Sequence, residues 1–193
     1  MRIIAGLYRG RRILPPLGRT IRPITDRVKE SLFAILTGRI AAARVGDLFA
    51  GTGSLGLEAL SREARFCCFV ENDRRALGLL RRNVQALALE DKSEIVPKNA
   101  WLFARWSAFP EPFDLIFVDP PYALSRDSGL SSPLGKLLIG VSEPQILGPG
   151  GMVIIRHEAA YPCRSDYGRL QLSQSRRYGS MGLSFLEPAV HTN

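Results

Sequence analysis

The chain has little of what a disulfide framework or a metal centre needs: three cysteines and two histidines in 193 residues. It contains no CxxC pair, Cys67 and Cys68 are adjacent in an apolar run, and Cys163 stands alone. His157 and His191 are too scattered to complete a ligand set, so we expect no bound metal. We interpret the three thiols as small buried or half-buried apolar residues in a reducing compartment.

Long apolar runs are also missing, which excludes a bilayer-spanning segment. Met1-Arg2-Ile3-Ile4 leads into arginine and glycine rather than into the apolar stretch of a signal peptide. We therefore expect a cytoplasmic protein that does not contact a membrane. Internal repeats are absent, and the length fits a single domain over 1–193, with a basic arm at 1–24 and a core at 25–193.

Acidic residues are fewer than basic ones, 18 against 26, which gives a formal net charge of +8. Such an excess favours a polyanionic partner, usually a nucleic acid, although a solvated basic surface is the alternative. Arginine dominates the first 29 residues, at positions Arg2, Arg9, Arg11, Arg12, Arg19, Arg22 and Arg27. Guanidinium groups suit bidentate phosphate contacts and stacking on bases.

Short apolar runs alternate with helical patterns after Gly46, which predicts a Rossmann-like α/β fold: a mostly parallel twisted sheet with helices on both faces. The predicted strands are Val45–Ala50, Arg65–Val70, Ser93–Val96, Phe113–Val118 and Gly151–Arg156. The predicted helices are 54–62, 74–88, 99–106 and 134–146. A further helix is predicted from Thr25 or Asp26, as N-cap, to Gly38.

The two ends of the chain depart from this alternation. Residues 1 to about 23 have the pattern of a small β-hairpin arm with glycine and proline punctuation. Leu170–Ser175 and Met181–Leu186 form a hairpin pattern joined through 176–180, so one terminal strand should run antiparallel to the rest. The polar segment Ala123–Pro133 is predicted to be a mobile loop that could act as a lid.

Gly51, Gly53 and Gly56 follow the first predicted strand in the pattern G-x-G-x-x-G. These glycines allow a tight turn, close approach of a ligand and close helix packing. Glu71 ends the next strand 71 − 51 = 20 residues later, which is the spacing of a ribose-hydroxyl acceptor. The combination predicts an adenosine-containing cofactor. An anion at Asp47 suits a cationic cofactor better than the pyrophosphate of NAD.

Asp119-Pro120-Pro121-Tyr122 follows a buried strand, at the edge where parallel sheets bind ligands. The prolines fix φ, remove donors and leave the carbonyls of Asp119 and Pro120 as rigid acceptors. A carboxylate, a carbonyl and an aromatic ring could hold a planar group that carries an NH2. A strand end with a proline-rich turn is the purely structural alternative.

These features together resemble class I S-adenosylmethionine-dependent methyltransferases that modify amino groups and carry an (Asp/Asn/Ser)-Pro-Pro-(Tyr/Phe/Trp) motif. The N-terminal motifs are similar to those of the bacterial RsmD-type family, whose members methylate the N2 amine of a guanine in 16S ribosomal RNA. The matching segments are Arg2–Gly6, Arg9–Arg11, Arg22-Pro23, Thr25–Glu30, Leu32-Phe33, Asp47–Leu60, Phe69–Asp73, Asn99-Ala100, Val118–Tyr122 and Arg177–Gly179. The loop Ala123–Pro133 does not match.

The resemblance implies a role for each matching residue. Gly51, Thr52 and Gly53 would line the methionine and ribose of S-adenosylmethionine, with Asp47 near its amino group and Glu71 on its ribose hydroxyls. Asn99 and Ala100 would meet the adenine, although Asn99 could instead cap the following helix. Asp119 and the Pro120 carbonyl would accept hydrogen bonds from the amine, and Tyr122 would stack on the base.

Ribosomal RNA, free or within a small-subunit particle, is the partner that the resemblance implies, and we expect a monomer. Arg9, Arg11, Arg12 and Arg22 are the candidate phosphate contacts. Three alternatives stay open: amino-group methylation of another nucleic acid (DNA adenine N6, DNA cytosine N4 or another RNA), an NAD-dependent oxidoreductase, and a non-catalytic RNA-binding or ribosome-assembly protein.

Overall fold

The computed structural model describes residues 1–16, 24–105 and 109–189. By the density of its internal contacts the chain divides into two compact units, Met1–Asn99 and Ala100–Asn193. Within the described ranges no helix is long and apolar enough to cross a membrane.

The first unit alternates strands and helices, as predicted. Its elements are α1 (Asp26–Ile35), β1 (Arg44–Leu48), α2 (Ser54–Ser61), β2 (Phe66–Val70), α3 (Arg74–Ala86), a 3₁₀ helix (Glu90–Lys92) and β3 (Ser93–Val96). β2 pairs in parallel with both β1 and β3, so it lies between them. All five residues of β1 are buried, including the charged Arg44 and Asp47, as expected for a strand inside a parallel sheet that is covered on both faces.

Helix α1 begins where the sequence predicts and ends earlier. Thr25 is its N-cap, with Oγ1 accepting from the Val28 N–H at 3.4 Å. The last helical residue is Ile35, Leu36 is the C-cap, and Gly38 lies in the following turn at φ 84°. Glycine therefore shapes the exit turn rather than the helix end itself.

The second unit begins with a 3₁₀ helix and ends in antiparallel strands. Its elements are the 3₁₀ helix Ala100–Arg105, β4 (Phe113–Val118), α4 (Tyr122–Ser125), α5 (Pro133–Val141), β5 (Leu147–Glu158), β6 (Asp166–Tyr167), β7 (Leu170–Tyr178) and β8 (Met181–Pro188). β4 and β5 are parallel, and β8 runs antiparallel to both β5 and β7. The predicted antiparallel terminal strand is thus confirmed, and the short β6, which the sequence analysis missed, pairs antiparallel with β7.

Three elements of this unit differ from the prediction. Helix α5 ends at Val141 rather than at 146, because Pro144 removes a donor and disfavours helical backbone at the residue before it. Strand β5 begins at Leu147 rather than Gly151. The Gly148–Gly151 segment forms the irregular part of the strand, where the register with β4 shifts. The predicted α-helix at 99–106 is a 3₁₀ helix, and residue 106 lies outside the described residues.

The terminal hairpin is longer than its pattern. Arg176 and Arg177 belong to β7, paired with Leu183 and Gly182, so the turn is only Gly179-Ser180. Both arginines are exposed, and this hid the strand from a prediction based on apolar alternation.

The N-terminal arm folds back on itself as predicted, but with a single bridge between Arg2 and Arg12 rather than paired strands. Main-chain bonds from Ile3 to Arg11 and from Gly10 to Ile3, both 3.0 Å, close the turn. Ile3 and Ile13 are buried, which ties the arm to the body of its unit.

Candidate functional site

The glycine-rich loop between β1 and α2 uses its three glycines in three ways. Gly51 has φ 56° and open space where a Cβ would stand. Gly53 is the N-cap of α2 at φ 86°, and a Cβ there would lie 2.6 Å from Leu80. Gly56 has ordinary helical backbone, but a Cβ would meet Phe69 at 2.3 Å and Cys67 Sγ at 2.5 Å. The tight turn at Gly51 and Gly53 and the close packing at Gly56 are present, and close approach of a ligand at Gly51 stays a prediction.

Asp47 lies near the end of β1 and is buried. Its Oδ2 accepts a hydrogen bond from the Gly56 N–H at 2.9 Å, which fastens the first turn of α2 to the strand. This carboxylate therefore has a structural partner inside the unit. Its predicted place near the cofactor's amino group stays a prediction.

Glu71 directly follows β2, and main-chain donors fix its carboxylate. Oε1 accepts from the N–H groups of Asn72 and Asp73, and Oε2 accepts from that of Gly51, each at 2.8 Å. The last bond joins the acidic residue to the glycine-rich loop across 20 residues of sequence. An ionised carboxylate can accept about four hydrogen bonds, so one lone pair of Oε2 is left for a ligand hydroxyl.

Asn99 is exposed and directly precedes the 3₁₀ helix that starts at the buried Ala100. Asn99 ends the first unit and Ala100 begins the second. Their predicted contacts with adenine stay predictions.

In the second unit, Asp119 directly follows β4 and pairs with Arg156 on β5. The pairing follows from register: Val118 is opposite Ile155, so the next residue of each strand carries one partner. Arg156 Nε donates to Asp119 Oδ1, and among the described residues no donor is seen on Oδ2. Burial raises the pKa of the Asp119 carboxyl, and the guanidinium opposes this shift.

Arg156 also lies under the aromatic ring of the motif, with Cζ 5.6 Å from the centre of the Tyr122 ring. One guanidinium thus positions both the carboxylate and the aromatic side chain. Arg156 ends a predicted strand, Gly151–Arg156, and was not among the predicted site residues. A charged residue at the end of an otherwise apolar run is the signal that could have found it.

The carbonyl groups of Pro120 and Pro121 have different surroundings. The Pro121 carbonyl accepts from the Leu124 N–H at 2.9 Å and starts α4. Within the described part of the chain no hydrogen bond to the Pro120 carbonyl is formed, and Pro120 has no N–H of its own. This rigid acceptor agrees with the predicted role of Pro120.

Hydrogen bonds and an ion pair connect the polar segment Ala123–Pro133 to other parts of its unit. Ser132 caps α5 by accepting from Gly135 N–H at 3.0 Å, and Ser128 donates to the Pro162 carbonyl at 3.1 Å. Arg126 pairs with Glu158 at 2.9 Å. Mobility of this segment stays a prediction.

The basic arm is docked on α2 through its backbone. Glu58 accepts from the N–H groups of Ile4 and Ala5 at 2.8 and 3.0 Å, and Ser61 Oγ accepts from Tyr8 N–H at 3.0 Å. A Cβ on Gly6 would stand 1.8 Å from the Ser61 carbonyl, so only glycine permits this approach. Residues 1–16 of the arm are therefore an ordered part of the first unit.

Glu58 itself is fully buried and has two cationic partners. Lys29 Nζ lies 3.2 Å and Arg62 Nε 2.9 Å from its carboxylate oxygens. Burial lowers the pKa of Lys29, and Glu58 opposes that shift. The Lys29 ammonium also donates to the Arg2 carbonyl at 2.8 Å, so the pair holds the arm from both sides.

The predicted phosphate contacts differ in their surroundings. Arg9, Arg11 and Arg12 are all exposed, which suits contact with a polyanion. Arg11 donates to the Ala86 carbonyl at the end of α3 at 2.8 Å and so also helps to dock the arm. Arg22 lies outside the described residues.

Asn83 on α3 connects the arm to the glycine-rich loop. Its Oδ1 accepts from Leu14 N–H at 2.7 Å, and its Nδ2 donates to the carbonyls of Leu14 and Thr52 at 3.2 and 2.9 Å. Both Asn83 and Thr52 are buried. The amide was not identified from sequence, because an asparagine inside a helical pattern gives no signal of this kind.

Burial disfavours the thiolate form of the three cysteines. Burial raises the pKa of Cys68 to about 12 and that of Cys163 to about 11. Cys67 is fully buried beneath Gly56. In the ranges that the structure covers, no group of three histidine, cysteine or acidic residues could hold a metal ion.

The family model described as "Conserved hypothetical protein 95" matches residues 1–187. The chain belongs to this RsmD-type family. The Bacillus subtilis protein YlbH is 33% identical over 185 residues, which cover 95% of this chain and 97% of YlbH. Ribosomal RNA small subunit methyltransferase D of Haemophilus influenzae is 40% identical over 123 residues, 63% of this chain and 64% of the relative.

The solved structure of yhhF from Escherichia coli, which is named as a methyltransferase, matches with a TM-score of 0.81 and 29% identity over 99% of each chain. The predicted fold class, a Rossmann-like class I methyltransferase fold, is confirmed by this likeness. The chain is a methyltransferase, and the alternative of an NAD-dependent oxidoreductase is therefore set aside.

Proposed function

We propose that this methyltransferase uses S-adenosylmethionine to methylate the exocyclic N2 amine of a guanine in small-subunit ribosomal RNA. The observation that carries the proposal is the family match over residues 1–187. The name of the Haemophilus influenzae relative specifies small-subunit ribosomal RNA as the molecule it modifies. The net charge of +8 fits an RNA substrate.

The first unit has the features that an adenosine-containing cofactor needs. Gly51 presents main chain without a side chain, and the Glu71 carboxylate retains one acceptor position. Gly51, Thr52 and Gly53 would hold the methionine and ribose parts, with Asp47 nearby, Glu71 on the ribose hydroxyls and Asn99 at the adenine. S-adenosylmethionine would supply the methyl group as a sulfonium.

The second unit has acceptors suited to an amine. The N2 amine of guanine is a poor nucleophile, because its lone pair is delocalised into the ring. Asp119 Oδ2 and the Pro120 carbonyl can each accept one N–H and favour a geometry that frees the lone pair. Tyr122 can stack on the base, which stacking stabilises by about 1–3 kcal/mol.

Arg156 sets the orientation of this arrangement. Its bond to Oδ1 leaves Oδ2 for the substrate, and its position against Tyr122 fixes the ring. The target guanine must leave its stack, or be unpaired at the start, before the amine can react. The main contribution of the protein is then positioning.

The test is methyl transfer from labelled S-adenosylmethionine to small-subunit RNA and to particles from cells lacking the protein. Modified nucleosides are identified by mass spectrometry after digestion. N2-methylguanosine at a single position is the expected product. Detection of N6-methyladenosine or N4-methylcytosine instead, in RNA or DNA, would show that guanine is not the modified base. RNA binding without methyl transfer would indicate an assembly factor.

A further inference from the structure

Helix α3 carries four arginines and no acidic residue in its 13 positions. Arg74, Arg75, Arg81 and Arg82 are all exposed, while Leu77, Leu80, Asn83 and Val84 face the interior. At 3.6 residues per turn the four arginines share the outer half of the helix, and they extend along about 12 Å of its length. We call this surface the α3 arginine face.

The charges on this face are not neutralised within the described part of the chain. No ion pair or hydrogen bond joins any of the four guanidinium groups to another residue there. Arg2, Arg62, Arg126, Arg156 and Arg164 do each have an acidic partner. The positions three and four residues from Arg81 and Arg82 hold leucine, glycine, valine, glutamine and alanine.

Favourable electrostatics within the helix do not explain these residues. Arg74 and Arg75 occupy the first turn, where cations oppose the helix dipole. Arg81 and Arg82 have no acid at i±4 with which an ion pair could stabilise the helix. The chain as a whole also favours arginine over lysine, with 22 arginines against 4 lysines. Arginine suits planar, bidentate contact with phosphate.

The face connects two regions already assigned to the substrate and the cofactor. Its first residue follows Glu71-Asn72-Asp73, beside the glycine-rich loop that Glu71 contacts. Helix α3 ends four residues after Arg82, at Ala86, whose carbonyl binds Arg11 of the arm. The α3 arginine face therefore continues the basic surface of the arm toward the cofactor loop.

We propose that the α3 arginine face binds the phosphate backbone of the substrate RNA. This rests on the proposed function and extends the RNA contact from the arm to a helix that the sequence patterns did not single out. Each arginine contacts a phosphate, without reading sequence. The base is selected elsewhere, so loss of the face weakens binding to all RNA sequences alike.

The test compares two double variants that remove the same charge. Arg81→Gln with Arg82→Gln alters the face, and Arg39→Gln with Arg65→Gln alters exposed residues in the turns before β1 and β2. Glutamine retains helix propensity, so the fold of α3 is preserved. Affinity for small-subunit RNA is measured between low and moderate salt, with S-adenosylhomocysteine affinity and thermal stability as checks.

The slope of log affinity against log salt should fall by about 0.7–0.9 for each phosphate that the variant no longer binds, so by about 1.5 in the face variant. The turn variant should retain the wild-type slope. Arg74→Gln with Arg75→Gln provides a second test and should give a similar decrease.

Equal slopes in the face and turn variants would overturn the proposal, as would a wild-type protein that binds no RNA. A face variant that loses affinity for the ribosomal particle but not for naked RNA would assign the surface to an acidic protein instead, and the RNA proposal would be wrong. If the slope decreases while wild-type protein methylates no ribosomal RNA, the proposed function fails and the α3 arginine face stands.

Discussion

Glu71 in the first unit and Asp119 in the second each directly follow a parallel strand, yet different partners hold their carboxylates. Three main-chain N–H groups bind Glu71. Asp119 depends on one side chain, Arg156. Both acids are candidates for direct contact with a small polar group, so the difference concerns how each is positioned rather than where on its strand it lies.

A main-chain donor is removed only by substitution with proline, and it carries no formal charge. Glu71 is therefore positioned by the path of the loop, and its geometry survives most changes nearby. Asp119 is positioned by a single guanidinium, so one substitution can release it. The first arrangement suits steady binding of a cofactor, while the second makes a reactive position dependent on one distant residue of the sequence.

The largest loss of stability is expected from substitution of Glu58, whose carboxylate has both main-chain and side-chain partners. Glu58→Ala removes the acceptor of two arm N–H groups and leaves Lys29 buried without its counter-charge. The free energy of unfolding should fall by about 3–5 kcal/mol. Chemical denaturation measures it, with the exposed Glu90→Ala as the matched control. An unchanged midpoint would show that main-chain docking of the arm contributes little.

Asp119→Ala tests the carboxylate held by a side chain. Turnover should fall by about 10²–10³, since the acceptor acts mainly in the transition state. Affinity for S-adenosylhomocysteine should stay close to wild type. Single-turnover methylation measures the first quantity and calorimetry the second. Normal turnover by this variant would remove Asp119 from the mechanism.

Glu71→Ala tests the carboxylate held by main-chain donors. Cofactor affinity should fall by about 1.5–3 kcal/mol, the value of a hydrogen bond to a charged group. Calorimetry with S-adenosylmethionine and with its demethylated product should show the same loss for both. Wild-type affinity would place Glu71 outside the cofactor site and limit it to ordering the loop.

Arg156→Gln examines the dependence of Asp119 on one partner. The Asp119 side chain is 18% exposed, so the loss of stability should be roughly 1–3 kcal/mol, below that of a fully buried pair. Turnover should fall while cofactor affinity is retained. In the double variant with Asp119→Asn, stability should partly recover, because no uncompensated carboxylate remains. Additive losses would mean that the pair is not coupled.

The smallest expected effect is a pH dependence of stability that arises from His157 in the second unit. Burial lowers the pKa of His157, whose ring contacts the Glu158 carbonyl at 2.8 Å and Ser184 Oγ at 3.0 Å. Its contribution to stability is present above pH 6.5, the ordinary value, and is lost as pH falls through the lower folded pKa. Thermal melts from pH 7.5 to 5 should show this decrease, and His157→Gln should flatten it. Parallel curves for the two proteins would exclude His157 as the cause.

Sequence patterns were sufficient where local physics decides structure. The strands Ser93–Val96 and Phe113–Val118 were predicted with the observed ends, because a charged residue and a proline bound each run: Lys92 and Pro97 the first, Pro112 and Asp119 the second. The glycine-rich loop and Glu71 were also found, since backbone freedom and a fixed spacing are visible in a linear sequence.

Long-range partners were not predictable in this way. Arg156 meets Asp119 only through the register of two strands 37 residues apart, and Asn83 meets Leu14 across 69 residues. The α3 arginine face was likewise hidden, because its importance depends on which charges lack a partner after folding. Sequence patterns therefore predicted elements and loops, while the contacts that position the reactive groups required the structure.

The docking of the arm has a consequence for how the chain folds during synthesis. Ile4 is synthesised 54 residues before its acceptor Glu58, and Leu14 is synthesised 69 residues before its partner Asn83. At about 5–20 residues per second the start of the chain waits about 3–14 s for that partner. During this interval a segment with several arginines is undocked beside the RNA of the ribosome that is making it. Completion of α3 ends that exposure, so the arm is the first part of the unit to be made and among the last to be fixed.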